Sequence, residues 1–116
     1  MKRHNYKNLK IWSSGIEIVD DVFKITETFP VEEKFGLISQ LNRSSVSIPS
    51  NIAEGSSRTD KSFSHFIDVA LGSSFELETQ LIIANKRNYI TNEQLKTFED
   101  KIAEFQKMAM SFQNKL

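Results

Sequence analysis

Leu95, Phe98, Ile102, Phe105, Ala109, Phe112 and Leu116 follow one another at alternating steps of three and four, and the residues between them are mostly Lys, Glu, Gln, Asp and Asn. An apolar residue every 3.6 positions marks one face of an α-helix, and no strand pairing accommodates that period. The spacing predicts a helix over about 92–115, opened by the capping box Thr91-x-x-Gln94, in which each partner satisfies a backbone donor of the other. A chain that closes on such a helix must supply other apolar faces to cover it. The remaining sequence does so with the same period and almost no turn-forming material, since its 116 residues include four Gly and two Pro.

Three further helices follow. Over about 8–28, Leu9, Trp12, Ile16, Val19, Phe23 and Thr26 form one stripe, and Ile11, Ile18, Val22 and Ile25 form a second beside it. One stripe is enough for the core of a small bundle. Two stripes leave a surplus that either a central position in the fold or a second copy of the chain must cover. Pro30 then breaks the chain, and Glu32 and Glu33 suit the first turn of a helix over about 31–54 with Phe35, Ile38, Leu41, Ser45, Ile48 and Ile52 inward. Pro49 falls inside that helix, and Gly55 is expected to end it. Thr59 or Asp60 caps a third helix over about 60–88, with Phe63, Phe66, Ile67, Ala70, Ser74, Leu77, Leu81 and Ala84 inward.

Short connections force successive helices to run antiparallel, so residues 1–116 read as a single all-α domain: an antiparallel up-down-up-down four-helix bundle. Gly15, Gly36 and Gly72 fall within the expected helices, where each costs about 1 kcal/mol against Ala. They mark places where another segment is expected to approach closely.

Several chemistries are excluded. The chain has no Cys, so disulfides, thiolate metal sites and a thiol nucleophile are out. Its two His, His4 and His65, cannot build the paired Glu-x-x-His constellation of a di-iron bundle, and no Gly-rich phosphate loop, GxSxG or HExxH is present. No metal or cofactor is expected. No apolar run approaches the roughly 20 residues that span a bilayer, and no apolar segment follows the basic start, so the reading is a cytoplasmic protein without a membrane partner. Fifteen Lys and Arg balance fifteen Asp and Glu.

That neutral total hides a basic N-terminal arm over 1–8 and just beyond, where Lys2, Arg3, Lys7 and Lys10 precede the first acid, Glu17. As a flexible arm it offers phosphate contacts and hence weak binding to RNA or DNA. A polar line along the second helix, Gln40, Ser44, Ser47, Asn51 and Glu54, has a counterpart at Ser73, Glu76 and Gln80 on the third, with Arg43 and Arg58 near its ends. These residues read either as a polar groove or partner surface, or as a solvated face and hydrogen bonds that fix helix register. Arg58 followed by His65 has the loose spacing of HEPN-type RNA nucleases, an alternative in which the pair performs metal-independent RNA cleavage.

The junction Ser47-Ile48-Pro49-Ser50-Asn51-Ile52-Ala53-Glu54-Gly55-Ser56-Ser57-Arg58 resembles the S-[IV]-P-x-N-I-A-E-G-x-x-R signature of the 23S rRNA intervening-sequence protein family, also called four-helix bundle proteins. Phe29-Pro30, Glu33-x-Phe35-Gly36-Leu37 and Gln40 resemble the entry to that family's second helix. Phe63, Phe66, Ala70, Gly72-Ser73 and Glu76-x-Glu78 resemble its third. The resemblance implies a bundle that assembles as a homo-oligomer, a pentamer, without enzymatic activity, encoded in bacterial genomes inside or outside 23S rRNA genes. Accessory proteins of diversity-generating retroelements look like distant relatives, and those bind nucleic acid through a strongly basic pentamer. The neutral charge of this chain departs from that pattern.

Overall fold

The computed structural model describes residues 4–116. Four helices make up most of the fold: α1 Lys10–Thr26, α2 Leu37–Ser56, α3 Asp60–Lys86 and α4 Asn92–Asn114. Short 3-10 turns, Tyr6–Asn8 and Val31–Glu33, precede α1 and α2, and no strand occurs among the described residues. At 1.5 Å per residue α3 is about 40 Å long, which accounts for an elongated body of 48 × 24 × 19 Å.

Side-chain bonds between helices fix the directions. Ser44 and Ser47 of α2 bond Gln80 and Ser73 of α3, so rising numbers on one meet falling numbers on the other. Ser74 and Asp68 of α3 meet Gln106 and Gln113 of α4 in the same reversed order. Between α1 and α2, Gly15 lies against Ile48 and Pro49 while Thr26 bonds Asn42. Each helix also packs against its two neighbours around the ring, α1 closing on α4, and diagonal pairs make no comparable approach. The result is the antiparallel up-down-up-down bundle.

One core runs through all four helices. Val22, Leu41, Ile48, Ile52, Phe63, Ile67, Leu77, Leu81, Ile102 and Phe105 are fully excluded from solvent. The inward residues expected of α3 and α4 are buried or half-buried, and both expected caps form. Thr59 accepts from the Ser62 amide, and Thr91 and Gln94 make the reciprocal capping box.

The first half of the chain requires corrections. On α1 the narrower stripe is the core: Ile11, Ile18 and Val22 are buried with Gly15 and Thr26, whereas Ile16 and Phe23 are each 42% exposed. The surplus face is therefore real and uncovered. The second helix starts at Leu37 rather than 31, because Val31–Glu33 closes only a 3-10 turn. Phe35 falls in the break and is 90% exposed instead of inward.

Gly36, expected inside that helix, is its N-cap. Gly55, expected to stop it, lies inside its last turn. A Cβ at Gly55 would come within 2.7 Å of both Phe63 and Phe66, so here glycine permits close approach of α2 to α3. Gly72 has the opposite surroundings: it is exposed, and nothing lies within 4 Å of where its Cβ would be. No segment of its own chain explains it.

At the end of the bundle where α2 begins, Glu33 ties two connections together. One carboxylate oxygen accepts the Tyr89 hydroxyl at 2.8 Å and the other accepts the Leu37 amide at 3.3 Å. Those bonds, Tyr89 first, hold the Glu33 carboxyl below the usual carboxylate range.

Candidate functional site

The polar lines of α2 and α3 face each other. They arise because both helices carry small hydroxyl or amide side chains where the helices come close, and such groups are buried only when bonded. Ser44 is 4% exposed and donates to Gln80 Oε1 at 2.7 Å, with Gln80 itself 7% exposed. The Ser47 and Ser73 hydroxyls share a bond of 2.8 Å. Asn51 turns back on its own helix, donating to the Ser47 carbonyl at 2.7 Å and to Ser47 Oγ at 3.0 Å. The Ser44–Gln80 and Ser47–Ser73 bonds fix the register of α2 against α3, and Asn51 holds Ser47 in place from within α2.

What remains open is a cleft of about 360 Å³ lined by Gln40, Arg43, Ser44, Ser47, Glu76 and Gln80. Of the residues expected to form a polar groove, the structure gathers Gln40, Arg43, Ser47 and Glu76 here, with Ser73 behind Ser47. Gln40, Arg43 and Glu76 are exposed, and neither charged group is ion-paired among the described residues. Glu54 and Arg58 are not part of it. Arg58 pairs with Glu54 one turn away at 3.4 Å, and its guanidinium lies 5.4 Å from the Phe66 ring centre.

Arg58 and His65 both lie against the ring of Phe66. Arg58 is committed to Glu54 and to the ring of Phe66, and His65 stands exposed at the edge of that same ring, 5.8 Å centre to centre. Among the described residues no group of three or more His, Asp or Glu is placed to hold a metal ion. No described helix is long and apolar enough to cross a membrane.

The basic arm divides. Lys2 and Arg3 lie outside the described residues. From His4 onward the segment is packed rather than free. The His4 amide donates to the Ser56 carbonyl at 3.2 Å, and its ring contacts Phe63 and Phe112 at centroid distances of 5.3 and 5.6 Å. Tyr6 stacks edge-on with Trp12, and Lys7 is exposed in the 3-10 turn beside it. Lys10 is the first residue of α1 and is exposed.

One apolar face went unnoticed in the sequence beyond the α1 surplus. On α3, Asp68, Phe75 and Ile82 recur at seven-residue steps, and Asp68 bonds Gln113 of α4, so this line runs beside α4. Phe75 is 49% exposed, Ile82 36% and Met110 of α4 43%. Opposite them, Phe23 of α1 shares a shallow groove with Asn42, Arg43, Val46 and Ser47 of α2. Seven-residue spacing was the available signal on α3, masked by the stronger inward stripe.

These features define a class: an antiparallel four-helix bundle with a hydrogen-bonded α2–α3 seam and apolar residues exposed on opposite flanks. Residues 7–111 match the family described as 23S rRNA-intervening sequence protein, and the chain belongs to that family. Among solved structures it is similar to a protein of unknown function from the S23 ribosomal protein family of Bacteroides thetaiotaomicron. The two are 24% identical, the likeness covers 90% of this chain and 95% of the other, and the TM-score is 0.82, which speaks for the fold. No curated protein matches the chain.

Proposed function

We propose that this protein is a non-catalytic, self-assembling bundle with an accessory or scaffold role in the bacterial cytoplasm. One observation carries the reading: two opposite flanks expose large apolar side chains, Ile16, Phe23 and Val46 on the α1–α2 side and Phe75, Ile82 and Met110 on the α3–α4 side. Single exposed hydrophobics are ordinary, but opposed patches fit a head-to-tail contact that repeats from copy to copy and closes into a ring. The bare backbone at Gly72 favours close approach of a neighbouring copy as well. A ring of five is the number that the family resemblance implies.

Sedimentation of the full chain at micromolar concentration tests this, the expected result being a discrete oligomer. Phe23→Lys and Phe75→Lys each replace an exposed residue, and each alone should give monomers that retain helicity. Mixing the two variants should restore a dimer, because each keeps the flank that the other has lost. A wild-type chain that sediments as a stable monomer ends the proposal.

Weak nucleic-acid association through Lys2, Arg3, Lys7 and Lys10 forms the second part of the reading, supported by the acid-free start of the chain. Replacing Lys2, Arg3 and Lys7 by Ala, which spares the packing of His4, should weaken low-salt binding of a labelled RNA or DNA several-fold. No binding at low salt removes this part and leaves assembly standing. Two competing readings have direct tests. Any RNA cleavage that survives His65→Ala is not the work of the Arg58–His65 pair. A protein partner on the α2 stripe should be lost in Asn51→Ala or Glu54→Ala.

A further inference from the structure

The α1–α4 seam is the most sparsely packed of the four in the bundle. Where α1 starts and α4 finishes it opens into a groove of about 540 Å³, larger than the cleft on the α2–α3 side. Leu9 and Ile11 supply one wall, and Met108 and Phe112 the other. The rim is cationic: Lys10 stands on α1, Lys107 on α4 and Lys115 at its C-cap, against a single acid, Glu104. None of these lysines is ion-paired among the described residues. The first turn of α1 carries no acidic residue, but the negative C-terminal end of α4 lies beside its positive end and opposes it, so the cationic character of the rim rests on the lysines.

An apolar floor under a rim of one sign selects an occupant that is apolar on one side and oppositely charged at its edges. The layout of the charges narrows the choice further. Lys107 on α4 and Lys115 at its C-cap are about two turns apart, about 12 Å along the groove, with Lys10 across from them. A single-headgroup amphiphile presents its charge at one point and meets one end of such a rim. An amphipathic helix presents apolar anchors at i, i+3, i+4 and i+7 and can carry acids along both margins, which matches the rim over its length. We propose that this groove receives an acidic amphipathic helix of a partner protein. The inference stands apart from self-assembly, because the flanks argued to meet between copies lie on the α1–α2 and α3–α4 sides.

The test uses the full chain and a fluorescein-labelled synthetic helix of about 16 residues, with Leu at i, i+3, i+4 and i+7 and Glu on both margins. Anisotropy should show saturable micromolar binding that weakens several-fold between about 50 and about 300 mM salt. The same peptide with Lys in place of Glu should not bind. Lys107→Glu/Lys115→Glu, both exposed positions, should reduce affinity for the acidic peptide at least about tenfold with unchanged helicity, a loss of about 1.4 kcal/mol. Met108→Ser should weaken binding without altering its salt dependence.

Absence of saturable binding, or binding that the lysine double variant leaves unchanged, overturns the proposal. So does binding of that rim only to vesicles containing phosphatidylglycerol, which would assign it to an anionic membrane surface, or only to labelled RNA. A change in sedimentation of Lys107→Glu/Lys115→Glu without peptide binding would assign the groove to contact between copies and overturn it equally.

Discussion

The α2–α3 seam and the α1–α4 seam are built from the same kind of helix yet hold together in different ways. In the first, a glycine lets two helices close on each other, and buried hydroxyls and amides pair across the gap: Gly55 on Phe63 and Phe66, Ser44 on Gln80, Ser47 on Ser73. In the second, contact is sparse, one end is an open groove, and the principal polar link is Lys101 reaching from α4 to Asp21 and Glu17 of α1. A close seam depends on fit and fixes register. A sparse seam depends on charge and leaves room for another molecule. If that contrast is right, equal insults to the two seams should have unequal effects.

The largest difference should come from volume. Gly55→Ala adds one methyl group where both neighbours are aromatic and one of them, Phe63, is fully buried. Overpacking of this kind costs about 1–3 kcal/mol, read as a lowered midpoint in urea unfolding. Gly72→Ala adds the same methyl to an exposed helix position with nothing near it, and in a monomer should stabilise by about 1 kcal/mol through helix propensity. If both substitutions shift the midpoint equally, the close approach at Gly55 is not what holds α2 to α3. If Gly72→Ala instead lowers the sedimentation coefficient of the native assembly, its empty surroundings are an interface.

Hydrogen bonding comes next. Ser44→Ala leaves Gln80 Oε1 without its donor in a seam where both residues are more than nine-tenths buried. An orphaned buried amide oxygen costs about 1–3 kcal/mol, and water entering from the neighbouring cleft should keep the effect toward the lower end. Gln80→Leu together with Ser44→Ala removes both partners and should recover part of the loss. A double variant less stable than the sum of the singles would contradict that.

How far the sequence reveals these two seams follows from the range of the forces involved. Helix faces depend on local period, so α3 and α4, with unbroken 3.6-residue stripes and Thr caps, were legible to within a residue or two. The polar lines of α2 and α3 were legible as lines, and hydrogen bonds that fix helix register belonged to one of the two readings left open. The failures cluster where tertiary approach overrides local chemistry. Gly55 reads as a stop because glycine usually ends helices; only the position of Phe63 and Phe66 shows that it serves packing. Phe35 fits the inward spacing of a helix starting at 31, but the 3-10 turn after Pro30 changes the phase and turns it to solvent. Neither the groove on the α1–α4 seam nor its lysine rim has a local signature, since Lys10 and Lys107 belong to different ends of the chain.

The sparse seam yields the smallest and most condition-dependent effect. Lys101 bonds Asp21 at 2.5 Å and Glu17 at 3.0 Å, and its own side chain is about one-third exposed, with Glu17 more open than Asp21. These two bonds, Asp21 the stronger, raise the Lys101 ammonium above the usual lysine value of 10.5. A raised folded-state value means that the contribution is complete below about pH 10 and fades only as pH climbs through the raised value. Lys101→Met keeps the aliphatic stem and removes the charge, so at neutral pH it should cost about 0.5–1 kcal/mol, most of it screened away in molar salt. Once the pH has climbed past that raised value, the wild type and the variant should converge. Chemical unfolding at neutral and alkaline pH, in low and high salt, reads all of this in one series. A loss as large as that of Gly55→Ala, or one that salt does not reduce, would mean that α1 and α4 are held by packing after all, and the contrast between the seams would fail.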